Sequence, residues 1–260
     1  MNIIFLHHST GDIIWHGKKL SIFTRAVRKA SKDLANLIAK AELPSLFDKY
    51  NKETGRNYFI KEMIFPKAVP YGWHNYPYDY YDIWVKHAGN QPYMEEPTLE
   101  MLTKNYQVIV FKHCFPVSNI QPDKDSADIN SDYKSLANYK LQYTALKDKL
   151  REFPDTKFIL WTGPALVKSA NSEESAVRAR EFFTWVKEKW DQPDDNIYLW
   201  DFYELETEGG LYLKEEYAAS ETDSHPNYEF ARRVTTLIFN RIIDVIENGG
   251  TKTNLKGEKI

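Results

Sequence analysis

The chain has 260 residues, with 34 basic against 37 acidic side chains, a net charge of −3, and 42% hydrophobic residues. That balance, without any long basic run, argues against nucleic acid as the main partner, and no run approaches the roughly 18 apolar residues of a membrane span. The single cysteine, Cys114, rules out an intrachain disulfide and suits a reducing compartment.

The first predicted element is the apolar run Ile3-Ile4-Phe5-Leu6. A run without polar alternation fits a strand buried on both faces of a parallel sheet. It is too short for a secretory h-region and lacks a basic lead-in, so the expected location is cytoplasmic, or secreted or periplasmic if a leader preceded Asn2. The run breaks into His7-His8-Ser9-Thr10-Gly11-Asp12. In open α/β sheets the chemistry lies at the carboxyl ends of the strands, so this break is either a site or a polar turn in which Ser9 or Thr10 caps the next helix.

Leu20 to Ala41 reads as a helix, from apolar residues at three- and four-residue steps, and Asn57 to Phe65 as a second strand stopped by Pro66. From Pro70 to Tyr93 the chain turns aromatic and polar, with Tyr71, Trp73, His74, Tyr76, Tyr78, Tyr80, Tyr81 and Trp84. Such rings either form a wall for sugars or flat ligands, with Trp73 and His74 as substrate-binding candidates, or pack as a satellite cluster. Val108 to Phe111 is a third strand, running into Lys112-His113-Cys114 and then Asn119, with Cys114 read as a core thiol. Ser131 to Phe153 is an amphipathic helix, Lys157 to Trp161 a fourth strand, and Val177 to Trp190 a helix. Ile197 to Trp200 is a fifth strand, and Pro226 to Ile246 the closing helix, with Pro226 at its first position. Strands alternating with helices imply an α/β fold: a three-layer α/β/α sandwich on a five-stranded parallel sheet. The interior holds no Gly/Ser- or Pro-rich linker, so residues 1–248 are expected to form one domain, followed by a polar tail, 249–260, that frays.

Just before the last helix stands Asp223-Ser224-His225-Pro226. In an extended segment residues i and i+2 point the same way, about 6.5 Å apart. Asp223 can then reach the His225 Nδ1 and leave Nε2 free to take a proton from a nucleophile. The alternative is a solvated turn in which Asp223 caps the helix.

In motif order over nearly its whole length, the chain resembles the SGNH, or GDSL-like, hydrolase superfamily, whose domains are flavodoxin-like α/β sandwiches. The resemblance puts Ser9, in His7-His8-Ser9-Thr10, at the nucleophile position. It implies oxyanion donors from the Ser9 N–H and from Gly72 in Pro70-Tyr71-Gly72-Trp73. It matches Asp223-Ser224-His225-Pro226 to the block that carries the acid and base, and Asp201 to a structural Asp before it. The family's Gly-x-Asn-Asp after the third strand is replaced here, so that Asn119, His113 or Lys112 would supply the remaining donor. The expected activity is a serine hydrolase of esters, with acetyl esters on carbohydrate as the candidate substrate, needing no cofactor or metal. Two other readings stay open: a carbohydrate-binding protein that has lost turnover, and a metal-dependent hydrolase using His7, His8 and Asp12 with His74.

Overall fold

The computed structural model describes residues 1–21, 40–72, 74–124 and 126–260. Most of the helix expected over Leu20–Ala41, and Trp73, lie outside the described residues. The strands are β1 (Asn2–His7), β2 (Phe59–Ile64), β3 (Val108–Lys112), β4 (Lys157–Trp161) and β5 (Ile197–Trp200), followed by β6 (Ala218–Ser220) and β7 (Asp223–Pro226). The helices are α1 (Ser9–His16), α2 (Glu42–Thr54), α3 (Pro77–Tyr81), α4 (Leu99–Leu102), α5 (Leu136–Arg151), α6 (Glu173–Trp185), α7 (Phe202–Thr207) and α8 (Tyr228–Asn248). The first five strands form one parallel sheet in the order β2-β1-β3-β4-β5.

Strand alternation explains why the apolar runs carry no polar residues. Ile3, Phe5, Val108, Val110 and Ile159 enter one core, under α1, α2 and α8, whereas Ile4, Leu6, Ile109, Phe111 and Phe158 enter another, under α3, α5 and α6. Helices therefore cover both faces of the sheet, giving the three-layer α/β/α sandwich. No helix among the described residues is long and apolar enough to cross a membrane.

Helix boundaries follow their caps. The Ser135 hydroxyl accepts from the Asn138 N–H at 3.3 Å, so α5 begins at Leu136 rather than at Ser131. The Ser172 hydroxyl accepts from the Ser175 N–H at 3.2 Å and starts α6 earlier than apolar spacing indicates, and a π-helical turn extends it to Trp190. At α8 the expected start is corrected. Pro226 ends β7, and the Asn227 side chain accepts from the Phe230 N–H at 3.0 Å, taking the capping role that Asp223 could have filled. The buried stripe Phe230, Val234, Ile238, Ile242 and Val245 then runs down one face of the helix.

One further expectation is overturned, and one open choice is decided. The polar tail does not fray: Asp244 Oδ2 accepts from the Thr253 N–H (2.8 Å) and hydroxyl (2.7 Å), and the Lys256 carbonyl accepts from the Trp200 indole at 3.0 Å. Of the two readings of the aromatic stretch, packing is the one most of its described rings follow. Tyr76 at the cap of α3, Tyr80 within it and Trp84 on the π-helical turn that continues it recur every four residues, and each is 4% exposed or less. Trp84 meets Tyr80 edge-on at 4.9 Å and stacks on Phe65 at 5.0 Å, while its indole donates to the Pro97 carbonyl. Rings packed this way have no face left for a sugar.

Candidate active site

The strand order reverses at β1 and β3: the chain leaves β1 toward β2 on one side, then crosses to β3 on the other. Crevices form at the carboxyl ends of such a pair, and ligands of open α/β sheets bind there. Ser9 leaves β1 at this point as the first residue of α1, with its side chain exposed. Gly11 makes that placement possible, because a Cβ there would collide with the His7 Cβ and lift α1 off the end of β1. As a first-turn residue, Ser9 has an N–H without an intrahelical acceptor. Its hydroxyl contacts the Cys114 thiol of the β3 exit at 3.8 Å, across the crevice.

Asp223 and His225 lie on β7, which pairs antiparallel with β6 and packs against α1. The extended backbone aligns them: Asp223 Oδ1 accepts from His225 Nδ1 at 2.6 Å and from the His225 N–H at 3.1 Å. Lys19, three residues beyond the end of α1, donates to Oδ2 at 3.1 Å. Partial burial pushes the Asp223 pKa up, but the bonds from His225 and Lys19 outweigh it and hold the carboxyl at about 2. The His225 Nε2 makes no hydrogen bond among the described residues. The ring is held edge-on against Phe115 at 5.0 Å, and Phe115 follows the cysteine that touches Ser9. Adjacent Cys114 and Phe115 thus touch Ser9 and His225 respectively, bringing the two to the same edge of the sheet.

The inner positions fall out differently. Gly72 takes a left-handed φ of 80°, but its N–H already donates to the Ala68 carbonyl at 2.8 Å, which removes it as an oxyanion donor. The Asn119 side-chain oxygen accepts from Gln121 (2.9 Å) and Ser175 (3.4 Å), toward α6 and away from the crevice. His113 is buried on the opposite face of the sheet, with Nε2 on the Tyr143 hydroxyl at 2.6 Å and its ring edge-on to Tyr80. Burial, with a smaller push from Lys112, lowers its pKa to about 3, so it stays neutral and is no part of the crevice. His74 is exposed, and its backbone N–H donates to Asp79 at 2.9 Å. Asp201 is structural, accepting from the Thr162 hydroxyl and from Lys187, both at 2.8 Å.

Sequence reasoning missed Asn75. It is 1% exposed and held at a left-handed φ of 59°, and its carbonyl accepts from the Cys114 N–H at 3.0 Å. Its carboxamide makes no hydrogen bond among the described residues, and Oδ1 is enclosed without a partner. Leaving that oxygen unbonded costs about 1–3 kcal/mol; as an acceptor it offers an oxyanion nothing, so any donation from this side chain falls to Nδ2. Asp79, fully buried, fixes the turn by accepting from the backbone N–H groups of His74 and Asn75. Burial raises the Asp79 pKa to about 6 against the pull of those bonds. The available signal was residue type, because Asn tolerates left-handed backbone better than other non-glycine residues.

Beneath the crevice, Lys112 is 1% exposed, with a bondless Nζ lying 5.2 Å from the centre of the Trp161 ring. It therefore cannot supply an oxyanion donor at the surface. Burial lowers its pKa and raises that of Glu206, whose Oε2 accepts from the Ala165 N–H at 2.5 Å while Oε1 has no partner. The histidines proposed as metal ligands are committed elsewhere: His7 to Glu62 (3.0 Å) and the His8 carbonyl (3.1 Å), and His8 to the Pro66 carbonyl. No protein-family model, curated protein or solved structure matches this chain significantly.

Proposed function

We propose that the chain is a serine hydrolase of the SGNH type, cleaving an ester of a short acyl group. One observation carries the reading: His225 is oriented by Asp223 at 2.6 Å with Nε2 uncommitted, on a strand packed against the helix that Ser9 begins. The Ser9 hydroxyl attacks the ester carbonyl as His225 Nε2 takes its proton, and Asp223 stabilises the imidazolium. The Ser9 N–H and the Asn75 carboxamide receive the oxyanion in place of the donors expected at Gly72 and Asn119. His225 returns the proton to the leaving alcohol, and water then hydrolyses the acyl-enzyme by the same route. Cys114 beside the nucleophile and Phe115 beside the base line the site with apolar surface, which favours a small acyl group such as acetyl. A carbohydrate as the alcohol portion belongs to this proposal through the family resemblance, with the aromatic stretch lending it little.

The engaged N–H of Gly72 favours one second reading, a glycan-binding protein of the same fold without turnover. A fluorophosphonate probe separates the two. Under the hydrolase reading it labels Ser9, located by peptide mass spectrometry, and p-nitrophenyl acetate is hydrolysed. A folded wild type that neither labels at Ser9 nor hydrolyses the ester, yet retains acetylated glycan, sinks the hydrolase reading.

A further inference from the structure

We propose that Lys19 is a positioning residue of this site, bridging the segment that carries the nucleophile to the acid that orients the base. The role rests on the reading of Ser9, His225 and Asp223 as a triad. Asp223 needs such a partner because of where it lies. It sits on a ribbon of two short strands, an arrangement with little stability of its own. Its side chain is 34% exposed, so packing does not fix the carboxylate. Oδ1 is used twice by His225, and rotation of the carboxylate about its own axis would carry Oδ1 off the imidazole. The bond from Lys19 to Oδ2 opposes that rotation.

The chain path makes the bridge specific. α1 starts at Ser9 and is stopped by Gly17, whose left-handed φ of 66° turns the chain and sets Lys19 beside β7. One segment therefore delivers the nucleophile at its start and the anchor of the acid at its end. The other ionisable groups that α1 presents, Asp12 and His16, lie 3.6 Å from one another, and β6 carries none. Lys19 is 55% exposed, so its pair with Asp223 contributes little to stability. Its loss should be read in the site rather than in the fold.

The test compares wild type, Lys19→Met and Lys19→Arg by NMR titration of the His225 ring, rate of fluorophosphonate labelling at Ser9, and thermal melting. In Lys19→Met the His225 midpoint should move up by about half a pH unit at low salt, because a nearby cation has been removed. The difference should shrink at about 0.5 M salt, where the screening length falls to a few ångströms. Labelling should slow about tenfold, on the scale of a lost charge-assisted hydrogen bond. Lys19→Arg should restore both, and Tm should stay within about 2 °C in all three, as for a weak surface pair. An unmoved midpoint in Lys19→Met, with a wild type that labels, overturns the role of Lys19 alone. A midpoint that moves while wild-type Ser9 fails to label supports the coupling of Lys19 to the dyad and removes the hydrolase reading.

Discussion

Two strand exits at the same edge of the sheet, His7-His8-Ser9 after β1 and Lys112-His113-Cys114 after β3, carry equally reactive side chains and meet opposite fates. After β1 the chain turns at once into α1, and Ser9 is left exposed on the first turn of the helix. After β3 the chain stays extended for two residues more, so alternation sends Lys112 under α1 and α8 and His113 under α5, both 1% exposed. Only the Cys114 thiol reaches the crevice, where it touches Ser9. Residue type therefore says little at a strand end. How soon the backbone turns decides whether a side chain becomes chemistry or core.

The largest effect should come from the exposed exit. Ser9→Ala and His225→Ala should each lower kcat/KM for p-nitrophenyl acetate by about 10³-fold or more, with circular dichroism unchanged. Residual hydrolysis of the same size in Ser9→Ala would move the chemistry off this edge. Next, Asn75→Gly keeps the left-handed turn while deleting the carboxamide, and should lower kcat by about 10²–10³-fold with KM nearly constant. A change confined to KM would make Asn75 a binding group and nothing more.

The buried exit is tested through stability. Because burial raises the Glu206 pKa, the folded protein holds that proton at pH values where the unfolded chain has released it. Its stabilising effect is whole below about pH 4.5 and is lost as pH rises toward the folded value, at about 1.4 kcal/mol per unit. Glu206→Gln should therefore match wild type at pH 4 and be more stable by urea unfolding at pH 7. An equal gain at both pH values would show that ionisation is not involved. The smallest effects belong to the positions the fold removed from the crevice. Asn119→Ala should change kcat/KM by less than about threefold, as for a residue outside the transition state's contacts.

The sheet was legible because its signal is local. Ile3-Ile4-Phe5-Leu6 and Lys157 to Trp161 are apolar whichever face each residue serves, so no partner had to be known to read them as strands. Asp223 and His225 were legible for a similar reason, as a period of two is enough to bring a carboxylate to an imidazole. The four-residue spacing Tyr76-Tyr80-Trp84 is legible in the sequence and helical, and it favours the packed alternative for the aromatic stretch. His113, Asn119 and Gly72 could not be sorted from sequence, since their fates depend on distant partners: Tyr143, Ser175 and the Ala68 carbonyl. Asn75 needed a backbone angle that only the folded turn imposes.

The folded tail has a bearing on how the molecule behaves in company. β5 is the last strand of the sheet, and on its outer side the Leu255 carbonyl accepts from the Asp201 N–H at 2.8 Å while Arg241 Nε donates to the Leu199 carbonyl at 2.8 Å. Leu255 of the tail and Arg241 of α8 thus each occupy a hydrogen-bonding position that another chain's strand would otherwise seek. A chain cut after Asn248 would keep every crevice residue and should still react at Ser9. With the Asp201 N–H uncovered and Arg241 deprived of its Gly250 and Thr253 acceptors, its sheet edge should be more prone to self-association, with light scattering rising as protein concentration increases.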